Sequence, residues 1–184
     1  TLRNLNNKIR GKIVLTGGSL TTVYNMASGS FGTGAIEVGN GNANQKLQYL
    51  GTDDVDISDR DIYLVGNGGT GGGMYLENYG TGALTLGDVY AEDNTVSKAF
   101  RISGDNTGDN TVSGVIRNAN TNGTVRVEKH GTGKWILSGA NTYTGTTTVT
   151  QGTLAIGANN VIPTASAVVV TGSTSILDIG TYNS

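Results

Sequence analysis

Short apolar packets rich in Val, Ile, Thr, Leu and Tyr recur along the whole chain, separated by clusters of Gly, Asn and Asp. They run from Lys12 to Leu15, Leu20 to Tyr24, Ala35 to Val38, Ile62 to Val65 and Ala83 to Leu86. Further on they run from Thr124 to Glu128, Lys134 to Ser138, Thr146 to Thr150, Thr153 to Ile156 and Ala167 to Thr171. No window sustains the i, i+3, i+4, i+7 spacing of an amphipathic helix. β-branched packets bounded by turn residues predict short strands and turns throughout.

Many evenly spaced short strands ordinarily suggest a sandwich or a barrel. The internal repetition points to a solenoid instead. Gly-Thr-Gly occurs at Gly32 to Gly34, Gly80 to Gly82 and Gly131 to Gly133, and each copy leads into a strand packet. The copies start 48 and 51 residues apart. Halved, this is about 24 to 25 residues, a solenoid-sized repeat. A fourth copy at Gly69 to Gly71 breaks the register.

Within a rung, side chains alternate between core and solvent. Val125 and Val127 then point inward while Thr124, Arg126 and Glu128 point outward. Thr147 and Val149 share one face, and Thr146, Thr148 and Thr150 the other. Leu154 and Ile156 continue inward. Corners between strand faces need positive φ, which Gly and Asn supply, and a near-absence of Pro preserves the ladder donors.

Composition sharpens this picture. Gly, Thr and Asn make up roughly two residues in five, well above ordinary usage. Leu, Ile, Val and Phe sum to about 23%, above the level at which chains fail to fold. The net charge of -2 leaves little self-repulsion. Only 14% of residues are charged, so hydroxyls and amides keep the surface wet. No basic stripe marks a nucleic-acid partner, and no apolar run is long enough for a membrane-spanning helix, so no direct membrane insertion is expected. With no Cys, a disulfide framework, a Cys zinc site and thiol catalysis are excluded. The chain starts without Met and reads as a processed or excised piece of a longer protein.

The most specific segment runs from Gly131 to Leu154: Gly-Thr-Gly-Lys-Trp-Ile-Leu-Ser-Gly-Ala-Asn-Thr-Tyr-Thr-Gly-Thr-Thr-Thr-Val-Thr-Gln-Gly-Thr-Leu. It closely resembles the autotransporter-associated β-strand repeat, GxGxxxLSGxNTYTGxTTVxxGTL. The matching positions include Gly131, Gly133, Leu137, Gly139, Asn141, Tyr143, Gly145, Val149, Gly152 and Leu154, with Trp135 in the strand between. Thr146 stands where the repeat usually has a second Gly. The resemblance implies an all-β, right-handed parallel β-helix of about eight rungs, forming a single segment over residues 1–184. Residues 1–122 would be degenerate rungs and 123–184 the rungs holding the recognisable repeat. It also implies a passenger domain of a Gram-negative-type bacterium, displayed at the cell surface or extracellular. The pattern is structural and carries no catalytic residues, so a non-enzymatic scaffold is expected. Its partners would be flanking passenger chain or identical subunits, together with host or cell-surface ligands.

Candidate chemistry is sparse. Asp53, Asp54, Asp56, Asp59 and Asp61 form the densest acidic cluster, with Asp105 and Asp109 a weaker second. Alternate carboxylates on one strand face suit Ca²⁺, and β-helical enzymes acting on polysaccharides also use clustered carboxylates, so a carbohydrate-binding or carbohydrate-active β-helix is the alternative. The bland reading is a solvated turn. Neither an EF-hand spacing nor a Gly-Gly-x-Gly-x-Asp repeat is present, so no cofactor is expected. His130, the single histidine, sits by a predicted turn with no nucleophile elbow nearby. Trp135 is assigned to packing. Gly68 to Gly73 reads as a corner, since no Lys or helix follows as a phosphate loop needs.

Charge is unevenly spread. Arg3, Lys8, Arg10 and Lys12 make the start basic, while acids from Glu37 to Asp93 outnumber Lys46 and Arg60. Solenoid ends expose unpaired strand edges, so head-to-tail stacking into a filament or sheath is a further expectation.

Overall fold

The computed structural model describes residues 11–15, 20–24, 26, 33–39, 44–65, 72–92, 96–119 and 122–182. Among the described residues eighteen strands form three parallel sheets, the faces of a β-helix. The first face holds β1 (Ile13–Leu15), β3 (Ile36–Val38), β6 (Ile62–Leu64), β9 (Val89–Ala91) and β12 (Ile116–Arg117). The second holds β2 (Leu20–Val23), β4 (Asn44–Tyr49), β7 (Gly73–Asn78), β10 (Lys98–Gly104), β13 (Val125–Lys129), β15 (Thr147–Val149) and β17 (Val168–Val170). The third holds β5 (Val55–Ile57), β8 (Leu84–Leu86), β11 (Asn110–Val112), β14 (Lys134–Leu137), β16 (Gly152–Ile156) and β18 (Ser175–Asp178).

This is the parallel β-helix expected from the sequence, and all ten packets named above fall on strands. The alternation holds in β13 and β15, where Val125, Val127, Thr147 and Val149 are buried and Thr124, Arg126, Glu128, Thr146, Thr148 and Thr150 are not; Leu154 and Ile156 are buried as expected, but Ala155 between them is buried too. The rung count is lower than about eight, because the longest face has seven strands. The early rungs are longer than the halved Gly-Thr-Gly spacing. One rung takes 29 residues from Lys46 to Tyr75, 26 from Tyr75 to Arg101 and 27 from Arg101 to Glu128. Later rungs shorten to 20 residues from Glu128 to Thr148 and 21 from Thr148 to Val169.

Register also explains the irregular Gly-Thr-Gly spacing. Gly80 to Gly82 and Gly131 to Gly133 open β8 and β14, two rungs apart on the third face. Gly34 instead precedes β3 on the first face, so the first copy lies at another corner. Gly32 and the copy at Gly69 to Gly71 lie outside the described residues.

Parallel in-register pairing places like on like. Ile13, Ile36, Ile62, Val89 and Ile116 pair in sequence and form one buried column. Ile57, Leu86, Val112, Leu137 and Ile156 form another. Each fully buried aliphatic side chain contributes about 1.5–3 kcal/mol of transfer free energy.

The repeat segment shows why the late rungs are short. Among the described residues the first face has no strand after β12. There, Asn141 replaces strand pairing: its side-chain oxygen accepts the Ile116 N–H at 2.7 Å, and its amide donates to the Val161 carbonyl at 2.9 Å. Tyr143 is buried and its hydroxyl meets that of Thr147 at 2.6 Å, which in turn meets Ser166 at 2.9 Å. Trp135 is buried, as expected, and donates to the Ser103 carbonyl at 3.0 Å.

Rungs approach most closely at the glycines. A Cβ on Gly139 would lie 1.9 Å from the Gly114 carbonyl oxygen, an atom that moves only with its whole rung. Gly131 adopts φ +69°, a left-handed conformation that L side chains resist. Gly139→Ala is expected to cost about 1–3 kcal/mol by overpacking, whereas Thr146→Ala, on an exposed side chain, should be nearly neutral. Urea unfolding checks this: a Gly139→Ala midpoint equal to wild type would contradict close packing at that corner.

Candidate functional surface

With the core filled by aliphatic columns, chemistry is confined to the corners and outward columns. The corner between the second and third faces is held by buried amides. Asn78 donates to the Gly82 carbonyl at 2.8 Å and to the Asn110 side-chain oxygen at 2.6 Å. Asn110 donates to the Asn106 side chain at 2.9 Å and to the Lys134 carbonyl at 3.0 Å, tying three rungs together. Asn106 reaches back to the Gly80 carbonyl at 2.8 Å. Among the described residues no buried side-chain polar atom lacks a partner, which is the condition under which buried amides are tolerated. The sequence offered the region around Asp105 and Asp109 only as an acidic turn. The asparagines between those acids carry the structure, while Asp109 pairs with Lys134 at 2.7 Å on the surface.

Among the described residues Arg60, Lys98, Arg101 and Lys129 are buried cations. Lys129 occupies an inward position paired with Ile102, and its ammonium donates to the carbonyls of His130, Gly131 and Gln151 at 2.7, 2.7 and 3.1 Å. Burial pulls its pKa down to about 8. Arg60 donates to the Gly34 carbonyl, and burial lowers its pKa as well.

The outward column of the second face is a charged network. Arg101 and Arg126 each direct Nε onto Glu128, at 2.7 and 2.6 Å. His130 Nε2 meets Glu128 at 3.1 Å, and its Nδ1 meets the Thr150 hydroxyl at 3.0 Å. That hydroxyl donates its proton to the Lys129 carbonyl at 2.9 Å. Thr150, His130 and Glu128 thus form a hydrogen-bonded line that bridges adjacent rungs. His130 stands beside a corner, as expected, and links two rungs. Tyr75 lies between Lys46 and Arg101, each 5.0 Å from its ring centroid.

The outward column of the first face is aromatic. Glu37, Tyr63, Tyr90 and Arg117 are successive register partners. The two rings lie 5.3 Å apart at 36°, and the Arg117 guanidinium sits 3.7 Å over the Tyr90 ring. The hydroxyl of Tyr63 donates to Asp61 at 3.4 Å and that of Tyr90 to Asp88. Burial, reinforced by these carboxylates, raises both phenol pKa values. A cleft of about 380 Å³ opens beside this column, flanked by Glu92. No motif in the sequence marked it, because Tyr63 and Tyr90 meet only through a full rung.

The acidic cluster is dispersed. Asp54 accepts the Ala83 N–H at 2.7 Å, and Asp56 accepts the Ser58 N–H at 2.8 Å; the Ser58 hydroxyl and then this N–H lower the Asp56 pKa. Asp53 and Asp59 are exposed. Asp61 alone turns toward the tyrosine column. Among the described residues, no three His, Cys, Asp or Glu side chains gather where they could hold a metal ion. Arg3, Lys8, Arg10 and Asp93 lie outside the described residues. Lys12 bonds Glu37 at 2.7 Å, so part of the basic start meets the acidic stretch between adjacent rungs of one molecule.

Burial alone would raise the Glu128 carboxyl, but hydrogen bonds from His130 and Arg126 and the charge of Arg101 hold it at about 2, against an ordinary 4.5. A depressed carboxylate stabilises the fold above its unfolded value and loses that contribution as pH falls through its folded value. The window is therefore pH 4.5 down to about 2, and the contribution at neutral pH is roughly 3 kcal/mol. Glu128→Gln is expected to unfold more easily at pH 7 and to show a flatter acid limb. Equal pH dependence of the two proteins would refute the assignment.

The family model described as passenger-associated-transport-repeat matches residues 127–156. The chain is also 40% identical, over 114 residues, to an adhesin, the BmaC autotransporter of Brucella suis biovar 1 (strain 1330). That alignment covers 60% of this chain and 3% of the adhesin, so the chain corresponds to a small part of its relative. No solved structure matches it significantly. The likeness to autotransporter passenger domains expected from the sequence is borne out.

Proposed function

The chain carries the passenger repeat of autotransporters, and from that premise we propose that it is a non-catalytic β-helical section of a cell-surface adhesin in a Gram-negative bacterium. The observation that carries this reading is the 40% identity to an autotransporter adhesin. The mechanism is mechanical. Each rung bonds to the next, and the stack holds its outward columns at fixed spacing away from the cell. The expected test is an in-frame deletion of this section from the full protein displayed on bacteria. Attachment to host cells should fall while the amount of displayed protein, read by antibody, stays level. Unchanged attachment at equal display would remove the adhesive role.

A self-associating variant draws on the last rung. Val168 and Val170 pair with the inward residues Thr147 and Val149, yet are 42% and 47% exposed. Ile176 on β18 is 54% exposed. Such an apolar strand edge suits either a further rung of passenger chain or an identical subunit. Sedimentation across a concentration series should show association that Val168→Asp with Val170→Asp abolishes. A protein monomeric at every concentration would discard the filament variant.

A further inference from the structure

We propose that the cleft beside Tyr63, Tyr90 and Arg117 is a binding site for neutral oligosaccharides. The inference deepens the adhesive reading above, and rests on it, by naming what the surface holds. Three observations converge. The first is shape: a cleft of about 380 Å³ is of small-ligand size on a face that otherwise consists of short, regular strands.

The second is the mixture of surfaces. Tyr63 is half-buried, presenting part of an aromatic ring at the cleft, while its hydroxyl is engaged by Asp61. Around it stand groups that hydrogen-bond in opposite senses. Glu37 accepts, and the guanidinium of Arg117 donates. Arg117 is exposed, and its guanidinium carbon sits 3.7 Å from the Tyr90 ring centroid, which holds its N–H groups at the cleft. A pyranose fits that mixture: its C–H face packs on an aromatic ring, and its vicinal hydroxyls both donate and accept.

The third is charge. Glu37, Glu92, Asp61 and Asp88 face Arg117 and Lys12 around the column, so the surroundings are net acidic. An anionic sugar is disfavoured by these carboxylates. The Tyr90 ring face is closed to a cationic ligand because Arg117 already occupies it, and a cation at the cleft would have to compete with Lys12 and Arg117 for the carboxylates. Neutrality is what remains. The carbohydrate reading expected at Asp53 to Asp61 thereby moves to the first face, where Asp61 is its single link to the acidic cluster. Asp54 and Asp56 lie beside and on β5 of the third face.

The test is calorimetric titration of the whole chain with cellotriose, mannotriose and galactotriose, alongside trigalacturonate, at millimolar concentration. At least one neutral trisaccharide is expected to bind, and to bind better than trigalacturonate. Tyr63→Ala and Arg117→Ala should each weaken binding about tenfold, equivalent to about 1.4 kcal/mol. Tyr63→Phe, which keeps the ring, should retain it. Matching urea midpoints would show that the variants fold. Absence of neutral-sugar binding, a preference for trigalacturonate, or binding indifferent to both alanine variants overturns the proposal. Such a result together with lost attachment in the deletion strain would overturn the cleft alone and leave the adhesive section standing.

Discussion

Rung-on-rung backbone hydrogen bonding is the constraint from which the rest of this molecule follows. Each strand pairs in parallel with the strand one turn earlier and one turn later, so each side chain lies over its register partner about 4.8 Å away. An inward isoleucine sits on an isoleucine or valine from Ile13 to Ile116. The same rule that fills the core orders the surface, where tyrosine lies on tyrosine and arginine on glutamate. A stacked column is stabilising only if its members tolerate this proximity. Opposite charges and aromatic rings do, and like charges do not. The Arg101–Glu128 contact and the Tyr63–Tyr90 contact are two solutions to one geometric demand.

Corners pose a second problem, because the chain leaves the ladder and its carbonyls lose their partners. Buried carbonyls without donors are costly. The protein answers with side-chain donors brought inside: Asn78, Asn106 and Asn110 at one corner, Asn141 where the first face stops, and the Lys129 ammonium beneath three carbonyls. These groups lock the register, since a shift of one rung would strand several amides at once. Local stiffness and function are thus linked. A surface column recognises a ligand only if its members stay at fixed height, and the corner amides hold them there.

The division of labour along the chain follows. The repeat segment is nearly all structure: its alternate residues from Gly133 to Tyr143 are buried, leaving Lys134, Ile136, Ser138, Ala140 and Thr142 outside. The longer early rungs have room for distinctive outward residues, and the tyrosine column lies there, whereas the charged network joins Arg101 to Glu128 and His130 of the repeat rungs. On the proposed adhesive reading, specificity lies where the rung is least like the repeat.

Much of this was determined by the sequence alone. β-branched alternation set which residues of a strand face inward, as for Val125 and Val127, because a period of two is a local property of extended backbone. The segment from Gly131 to Leu154 announced the solenoid through its spacing of glycines, Asn141 and Tyr143. Which residues stack on which was decided only in three dimensions. Rung length varies from 29 residues to 20, so the partner of a given side chain cannot be found by counting. Gly34 therefore stands at a different corner from Gly82, Asp54 and Asp56 stand apart from Asp61, and Tyr63 finds Tyr90. The physical reason is that strand alternation is encoded between neighbours, whereas vertical register depends on how much chain each corner consumes.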